Sequence, residues 1–352
     1  MSDAPLTAAQ RGRIIAYWLL AVCVMVYAMV VLGGVTRLTH SGLSMVEWKP
    51  ATGWLPPFAE AEWRSVFGKY KEFPEYQKVN AGMTLGEFKS IFWLEFLHRL
   101  WGRLIGLAFL APFVFFAAKR WVSRALGWKL ALMFVLGGLQ GVLGWYMVKS
   151  GLTDRPDVSQ YRLTAHLGAA LAVYGYMLWV ALGLLWPKPP PSPPGPPPGA
   201  KRAPPARSAM MLAALVFVTA LSGGLVAGLD AGFAFNTFPL MDGGFMPEGM
   251  FDMTPAYLNF FENIAAVQFE HRLLAEAVII LTMLFWLQAR KADLAARARL
   301  AVNLFALTAL AQVALGISTL LLVVPVALAS AHQAGAVALF TMSLWSAYEL
   351  KS

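Results

Sequence analysis

Eight runs of about 20 apolar residues, separated by polar segments, constrain this chain more than any other feature, because a run of that length crosses roughly 30 Å of hydrocarbon. They fall at residues 14–35, 91–117, 126–148, 162–186, 208–229, 266–288, 300–323 and 326–348. Backbone in lipid must satisfy its own hydrogen bonds, so each run is expected to be a helix. Composition agrees: of 352 residues, 58% are hydrophobic and 13% charged, against about 25% charged in a soluble domain. The expected fold class is an all-α polytopic membrane protein with eight transmembrane helices in the lipid bilayer. A pair of soluble domains is excluded.

The formal net charge of +9 calls for no nucleic acid, since most Lys and Arg residues sit in short loops where they orient helices. Arg11 and Arg13 precede the first run, Lys119, Arg120 and Arg124 follow the second, Lys201, Arg202 and Arg207 the fourth, and Arg290, Lys291, Arg297 and Arg299 the sixth. Segment 230–265 has no Lys or Arg but carries Asp230, Asp242, Glu248, Asp252 and Glu262. The positive-inside rule then puts both termini in the cytoplasm and the long segment 36–90 outside. Cys23 is the only cysteine, which rules out an intramolecular disulfide and a Cys-based metal site; within its apolar run it reads as a small buried hydrophobe. The first ten residues, MSDAPLTAAQ, match neither the basic start of a signal peptide nor an Arg-rich transit peptide, so the expected location is a bacterial inner membrane.

Segment 187–207 holds half of the 22 prolines. It cannot be helical and reads as an extended polyproline spacer, with a proline-rich ligand for a partner domain as the other reading. It divides the chain into 1–186 and 208–352, each with four runs.

The two halves repeat one another. Phe96-Leu97-His98-Arg99 matches Phe269-Glu270-His271-Arg272, Gln140 and Gly144 recur as Gln312 and Gly316, His166 as His332, and Gly33-Gly34 as Gly223-Gly224. An even number of spans per unit gives both copies one orientation, hence a parallel repeat of two four-helix bundles.

Four of the five histidines occupy repeated positions, each within about two turns of the outer end of a span, or roughly 5–12 Å deep at 1.5 Å per residue. A lone membrane histidine commonly bridges helices by hydrogen bonding. Four at matched depth, paired by duplication, point instead to metal ligation. Two imidazoles on neighbouring helices can hold a planar macrocycle between them, which suits haem iron; zinc or di-iron chemistry would need cysteines or grouped carboxylates. The expectation is one bis-histidine haem site per half, His98 with His166 and His271 with His332. Abundant glycine would let helices approach a flat cofactor closely.

Arg99 and Arg272 directly follow two of these histidines. A charge at the bilayer centre costs about 2.5–3.5 kcal/mol on the mild insertion scale, so each of these needs an anionic partner, such as a haem propionate, or must snorkel to the interface. Glu95 lies three residues before His98, on the same helix face, and its equivalent is Gln268. A carboxyl beside one site only implies that the halves do different work. Proton transfer or stabilisation of positive charge on a substrate is one reading; a structural pair with Arg99 or Arg103 is the other. Glu270 and Glu276 read as structural, and His40, just beyond the first span, as a local or substrate-lining residue and no ligand. Trp48, Trp54 and Trp63 are expected to lay the long outer loop over the N-terminal site.

These residues resemble the haem A synthase family. The likeness is carried by GGVTRLTHSGLSMVEWKPATGWLPP at 33–57, EFLHR at 95–99, GGLQGVLGWYMVKSGL at 137–152, LTAHL at 163–167, FEHR at 269–272 and SAHQ at 330–333. It covers nearly the whole chain. Without a cysteine pair in the first external loop, the sequence looks like the subtype shared by proteobacteria and mitochondria. The resemblance implies oxidation of the C8 methyl of haem o to a formyl group by two successive oxidations, with water as oxygen source and loss of water from a gem-diol, giving haem a for terminal oxidases. It further implies a resident haem b on His271 and His332 with Arg272 nearby, substrate haem on His98 and His166 with Arg99 nearby, and Glu95 as the catalytic carboxylate. Handover from a haem O synthase is a family-based expectation, and assembly into a homo-oligomer stays open.

Three other functions compete. A di-haem b membrane cytochrome taking electrons from quinol would keep both haems and gives Glu95 no reason to stand on one side. A haem transporter or chaperone would exchange haem without product. An assembly factor held together by its histidines would purify colourless.

Overall fold

The computed structural model describes residues 6–47, 53–151, 158–188 and 204–351. Most of the proline-rich spacer, and Trp48, lie outside them. Eleven α-helices are described: α1 (Ala8–Leu38), α2 (Glu60–Lys71), α3 (Pro74–Lys78), α4 (Leu85–Ala118), α5 (Arg124–Gly151), α6 (Gln160–Leu185), α7 (Ala206–Gly228), α8 (Asn259–Glu262), α9 (Ile264–Arg290), α10 (Ala296–Leu321) and α11 (Val326–Leu350). Eight of them are long and apolar enough to cross a membrane, matching the eight apolar runs. Among the described residues there is no β-strand, only an isolated bridge between Met241 and Gly244.

Helix ends follow local chemistry. Thr7 and Thr84 open α1 and α4 with capping boxes closed by Gln10 and Glu87, and the Asn263 side chain caps α9 by accepting from Ala265 and Ala266 N–H groups; each satisfies donors that the first helical turn leaves without a partner. Beyond α1, His40 turns into the left-handed region at φ 49°, a conformation that stops a helix. Asp230 does the same beyond α7 at φ 51°.

The four long helices of each half touch in a closed cycle. In the first half α1 packs on α4 and α6, and α5 on α4 and α6; in the second α7 packs on α9 and α11, and α10 on α9 and α11. Between the halves α6 meets α7 and α11, and α1 meets α11. The main apolar core lies along this seam, from Ile15, Leu19 and Val22 through Leu171, Met177 and Leu178 to Val216, Phe340 and Leu344. A hydrogen bond of 2.7 Å joins Tyr174 on α6 to Thr341 on α11. The peripheral helices leave Leu107, Val114, Leu132, Val135 and Leu139 exposed, as side chains facing lipid should be. Lys188, beyond α6, donates to the Glu349 carbonyl near the end of α11, so these two helices finish at the same end of the molecule; the long loops gather at the other.

One boundary differs from the apolar pattern. The second span is expected to start at 91, whereas α4 starts at Leu85. His98 consequently stands in the fourth turn of its helix, not the first two, while His166, His271 and His332 keep the expected position near a helix start. The cause is a second core outside the bundle, in which Phe88, Phe92 and Phe96 of α4 pack with Trp63, Phe67 and Tyr70 of α2. Phe88 lies 4.9 Å from Phe67 and 5.1 Å from Tyr70 between ring centroids, within the range of favourable aromatic pairs. This packing keeps the first turns of α4 helical. Trp63 is thereby buried in the cap at 6% exposure.

Candidate functional site

The four paired histidines all lie on helices that start at the loop end: His98 on α4, His166 on α6, His271 on α9 and His332 on α11. Each imidazole rests against a glycine of a neighbouring helix. A Cβ would come within 3.0 Å of the His98 ring at Gly33, 3.3 Å of His166 at Gly144, 3.1 Å of His271 at Gly223 and 2.9 Å of His332 at Gly316. At Gly316 such an atom would force a shift, and at the other three seats the ring would have to give by a few tenths of an ångström. Glycine richness leads one to expect room for a flat cofactor; at these four positions it makes room for the histidine rings themselves.

In the second pair the ring centroids of His271 and His332 are 6.4 Å apart with planes at 89°. Two metal–nitrogen bonds of about 2 Å, plus half the width of each ring, come to about 6 Å, so by separation the two rings would be able to hold one metal between them. The Ser222 hydroxyl lies 2.8 Å from His271 Nδ1, which fixes that ring and leaves Nε2 for ligation. Nδ1 of His98 and of His332 is buried without a hydrogen-bond partner among the described residues. A buried polar atom left so costs about 1–3 kcal/mol, and either ring nitrogen can serve a metal. By residue type both pairs, and by spacing the His271–His332 pair, fit a haem group. Among the described residues no three His, Cys, Asp or Glu side chains come together as a metal cluster.

Gln312 donates to the His332 carbonyl at 2.9 Å. Gln140, with its amide nitrogen toward His166, lies 3.2 Å from the His166 carbonyl and 3.0 Å from its Nδ1. The sequence pairs these glutamines by duplication without giving them work; in the structure each one bonds to the second histidine of its half.

Glu95 and Arg99 form a buried ion pair, with Glu95 4% and Arg99 9% exposed in their side chains. Arg99 is thus partnered and does not snorkel. The other Glu95 oxygen accepts from the Ser44 hydroxyl and the Met45 N–H, both at 2.7 Å. Arg99 also donates to the carbonyls of Met45 at 2.8 Å and Glu47 at 3.2 Å. The second half repeats this with different chemistry: Arg272 donates to the carbonyls of Phe235 at 2.7 Å and Thr237 at 2.9 Å, and the Gln268 amide donates to those of Ala231 and Phe235. Each half therefore pins the loop after its first long helix onto the histidine-bearing helix. Arg272 Nε remains buried with no partner among the described residues, leaving one donor for an anion. His40 is exposed and closes α1.

The chain matches the COX15-CtaA family model, described as cytochrome oxidase assembly protein, over residues 16–344. It belongs to the COX15-CtaA family. The match reaches into all eight long helices and includes both histidine pairs. Within curated relatives, the chain is 56% identical over 345 residues to the heme A synthase of Nitrosospira multiformis, covering 96% of this chain and 93% of that protein. It is 45% identical over 341 residues to heme A synthase COX15 of Arabidopsis thaliana, covering 95% and 74%, and 44% identical over 345 residues to that of Bos taurus, covering 96% and 82%. The chain is thus similar over nearly its whole length to both bacterial and eukaryotic proteins.

Proposed function

We propose that this protein is a haem A synthase, an oxidoreductase that converts the C8 methyl of haem o to the formyl of haem a in two successive oxidations. The observation that carries the reading is the matched set of four glycine-seated histidines, one pair beside Glu95 and the other beside Gln268. The near full-length likeness to heme A synthases supports it.

His271 and His332 hold a resident haem b, kept in place by Ser222, Gly223, Gln312 and Gly316, with Arg272 offering its spare donor to a propionate. When bound, that group supplies one-electron transfer. His98 and His166 hold the substrate haem, with Gly33, Gly144 and Gln140 setting their rings. Glu95 is the carboxylate beside the substrate: held by Ser44, Met45 and Arg99, it stands on the His98 face of α4, where a fixed negative charge favours positive charge developing at the methyl carbon and can take up a released proton. Arg99 holds the loop over this site by its bonds to Met45 and Glu47. The chain is further proposed to form two parallel four-helix units at 1–186 and 208–352 in a bacterial inner membrane, with cytoplasmic termini, receiving its substrate from a haem O synthase.

The test is mass spectrometry of haems extracted from the purified protein after co-expression with a haem O synthase. Haem b together with haem o, its hydroxylated form or haem a is the expected result. Haem b alone, with haem o supplied and never converted, would leave the di-haem cytochrome as the better reading.

A further inference from the structure

The tandem glycines Gly33-Gly34 and Gly223-Gly224 do more than seat a ring. Consecutive helical residues point about 100° apart, so two adjacent glycines open two directions. Gly33 faces His98 of its own half, while a methyl at Gly34 would overlap the Gln333 side chain of the other half. Gln333 follows His332 on α11, and its Nε2 donates to the Val30 carbonyl of α1 at 2.9 Å. One turn away, the Tyr27 hydroxyl donates to the Ala334 carbonyl at 2.8 Å. The second glycine pair does the same in reverse. Gly223 faces His271, and a Cβ at Gly224 would come within 2.8 Å of Thr164 Oγ1 and 3.2 Å of Thr164 Cα, two residues before His166 on α6.

We propose that Gln333 is a positioning residue that locks the register of α1 against α11 and so couples the two histidine sites across the seam between the halves. The link is short: the His98 ring touches Gly33, the adjacent Gly34 receives Gln333, and Gln333 is bonded to His332. A shift of α11 along α1 moves Gly33 against His98 and His332 against Gly316 together. Thr164 against Gly224 gives the second seam contact only steric contact, since Thr164 Oγ1 has no hydrogen-bond partner among the described residues. Gln333 adds a directional bond, which fixes register as well as distance. The inference rests on the reading that the four histidines hold haem.

The test uses the full-length haem-loaded protein in detergent, with Gly34→Ala, Gln333→Leu and the double variant Gly34→Ala/Gln333→Ala. Low-spin haem signals in electron paramagnetic resonance report each site, the two being told apart by His98→Ala and His271→Ala references. Gln333→Leu is expected to shift the signal of the His98 site, which Gln333 does not touch, and Gly34→Ala that of the His332 site, which Gly34 does not touch. Removing the long side chain in the double variant makes room for the methyl, so it is expected to regain haem lost by Gly34→Ala. Changes confined to the half that carries each substitution would overturn the coupling, as would additive losses in the double variant. A parent protein with no haem signal would instead overturn the haem reading itself.

Discussion

At the scale of single residues, the four glycine seats differ in how much room they leave, and that ordering is testable. A Cβ at Gly316 would lie 2.9 Å from His332 Cε1, whereas one at Gly144 would lie 3.3 Å from His166 Cε1. The first distance forces a shift of ring or helix; the second needs only a few tenths of an ångström. Overpacking of this kind costs roughly 1–3 kcal/mol. Gly316→Ala is therefore expected to lose most of the haem of the His271–His332 pair, and Gly144→Ala to keep most of its own, measured as haem per chain. The Glu95 and Gln268 positions give a second test. Arg99 and the Met45 N–H can only donate, so the amide of Glu95→Gln meets a donor whichever way it turns. Ser44→Ala removes one bond to the same oxygen without touching the charge. Glu95→Gln is expected to stop methyl oxidation while pigment stays bound, and Ser44→Ala to retain activity; equal losses in both would mean that Glu95 only anchors the loop.

At the scale of elements, α9 offers a clean handle because one side chain opens it. Asn263 Oδ1 accepts from Ala265 N–H at 2.9 Å and Ala266 N–H at 3.2 Å, and replacing such a cap by alanine costs about 1 kcal/mol. Asn263→Ala should lower the melting temperature of the purified protein, and weaken haem binding at His271, two turns on, more than at His98; thermal unfolding and haem content check both. The eight spans, the paired histidines and the Glu95–Gln268 difference were all legible in the sequence, because hydrophobic length and residue identity carry them. The early start of α4 was not, since Phe88 and Phe92 only acquire a reason to be helical once Trp63, Phe67 and Tyr70 fold against them. The loop anchors were hidden for another reason. Arg99 and Arg272 grip main-chain carbonyls at Met45, Glu47, Phe235 and Thr237, and a carbonyl leaves no signature in residue type. The two loops can therefore share a geometry while sharing little sequence beyond Gly42 and Gly232.

At the scale of the whole molecule, each histidine pair is closed by helices of its own half, while the seam between α1, α6, α7 and α11 joins the halves. Loss of a ligand removes an interaction inside one ring of helices and leaves the main apolar core of Leu19, Leu178, Val216 and Phe340 intact. The protein should accordingly stay folded when either pair is broken, but the two losses should differ in kind. His271→Ala or His332→Ala is expected to remove haem b and abolish oxidation together, because the resident group is gone before substrate arrives. His98→Ala or His166→Ala is expected to keep haem b and to lose bound haem o and its products. Absorption spectra of the purified variants, read beside mass spectrometry of their extracted haems, separate the two outcomes. Retention of haem b in both His271→Ala and His332→Ala would move the resident group to the other pair and exchange the roles of the halves, leaving Gln268 and not Glu95 beside the reacting methyl.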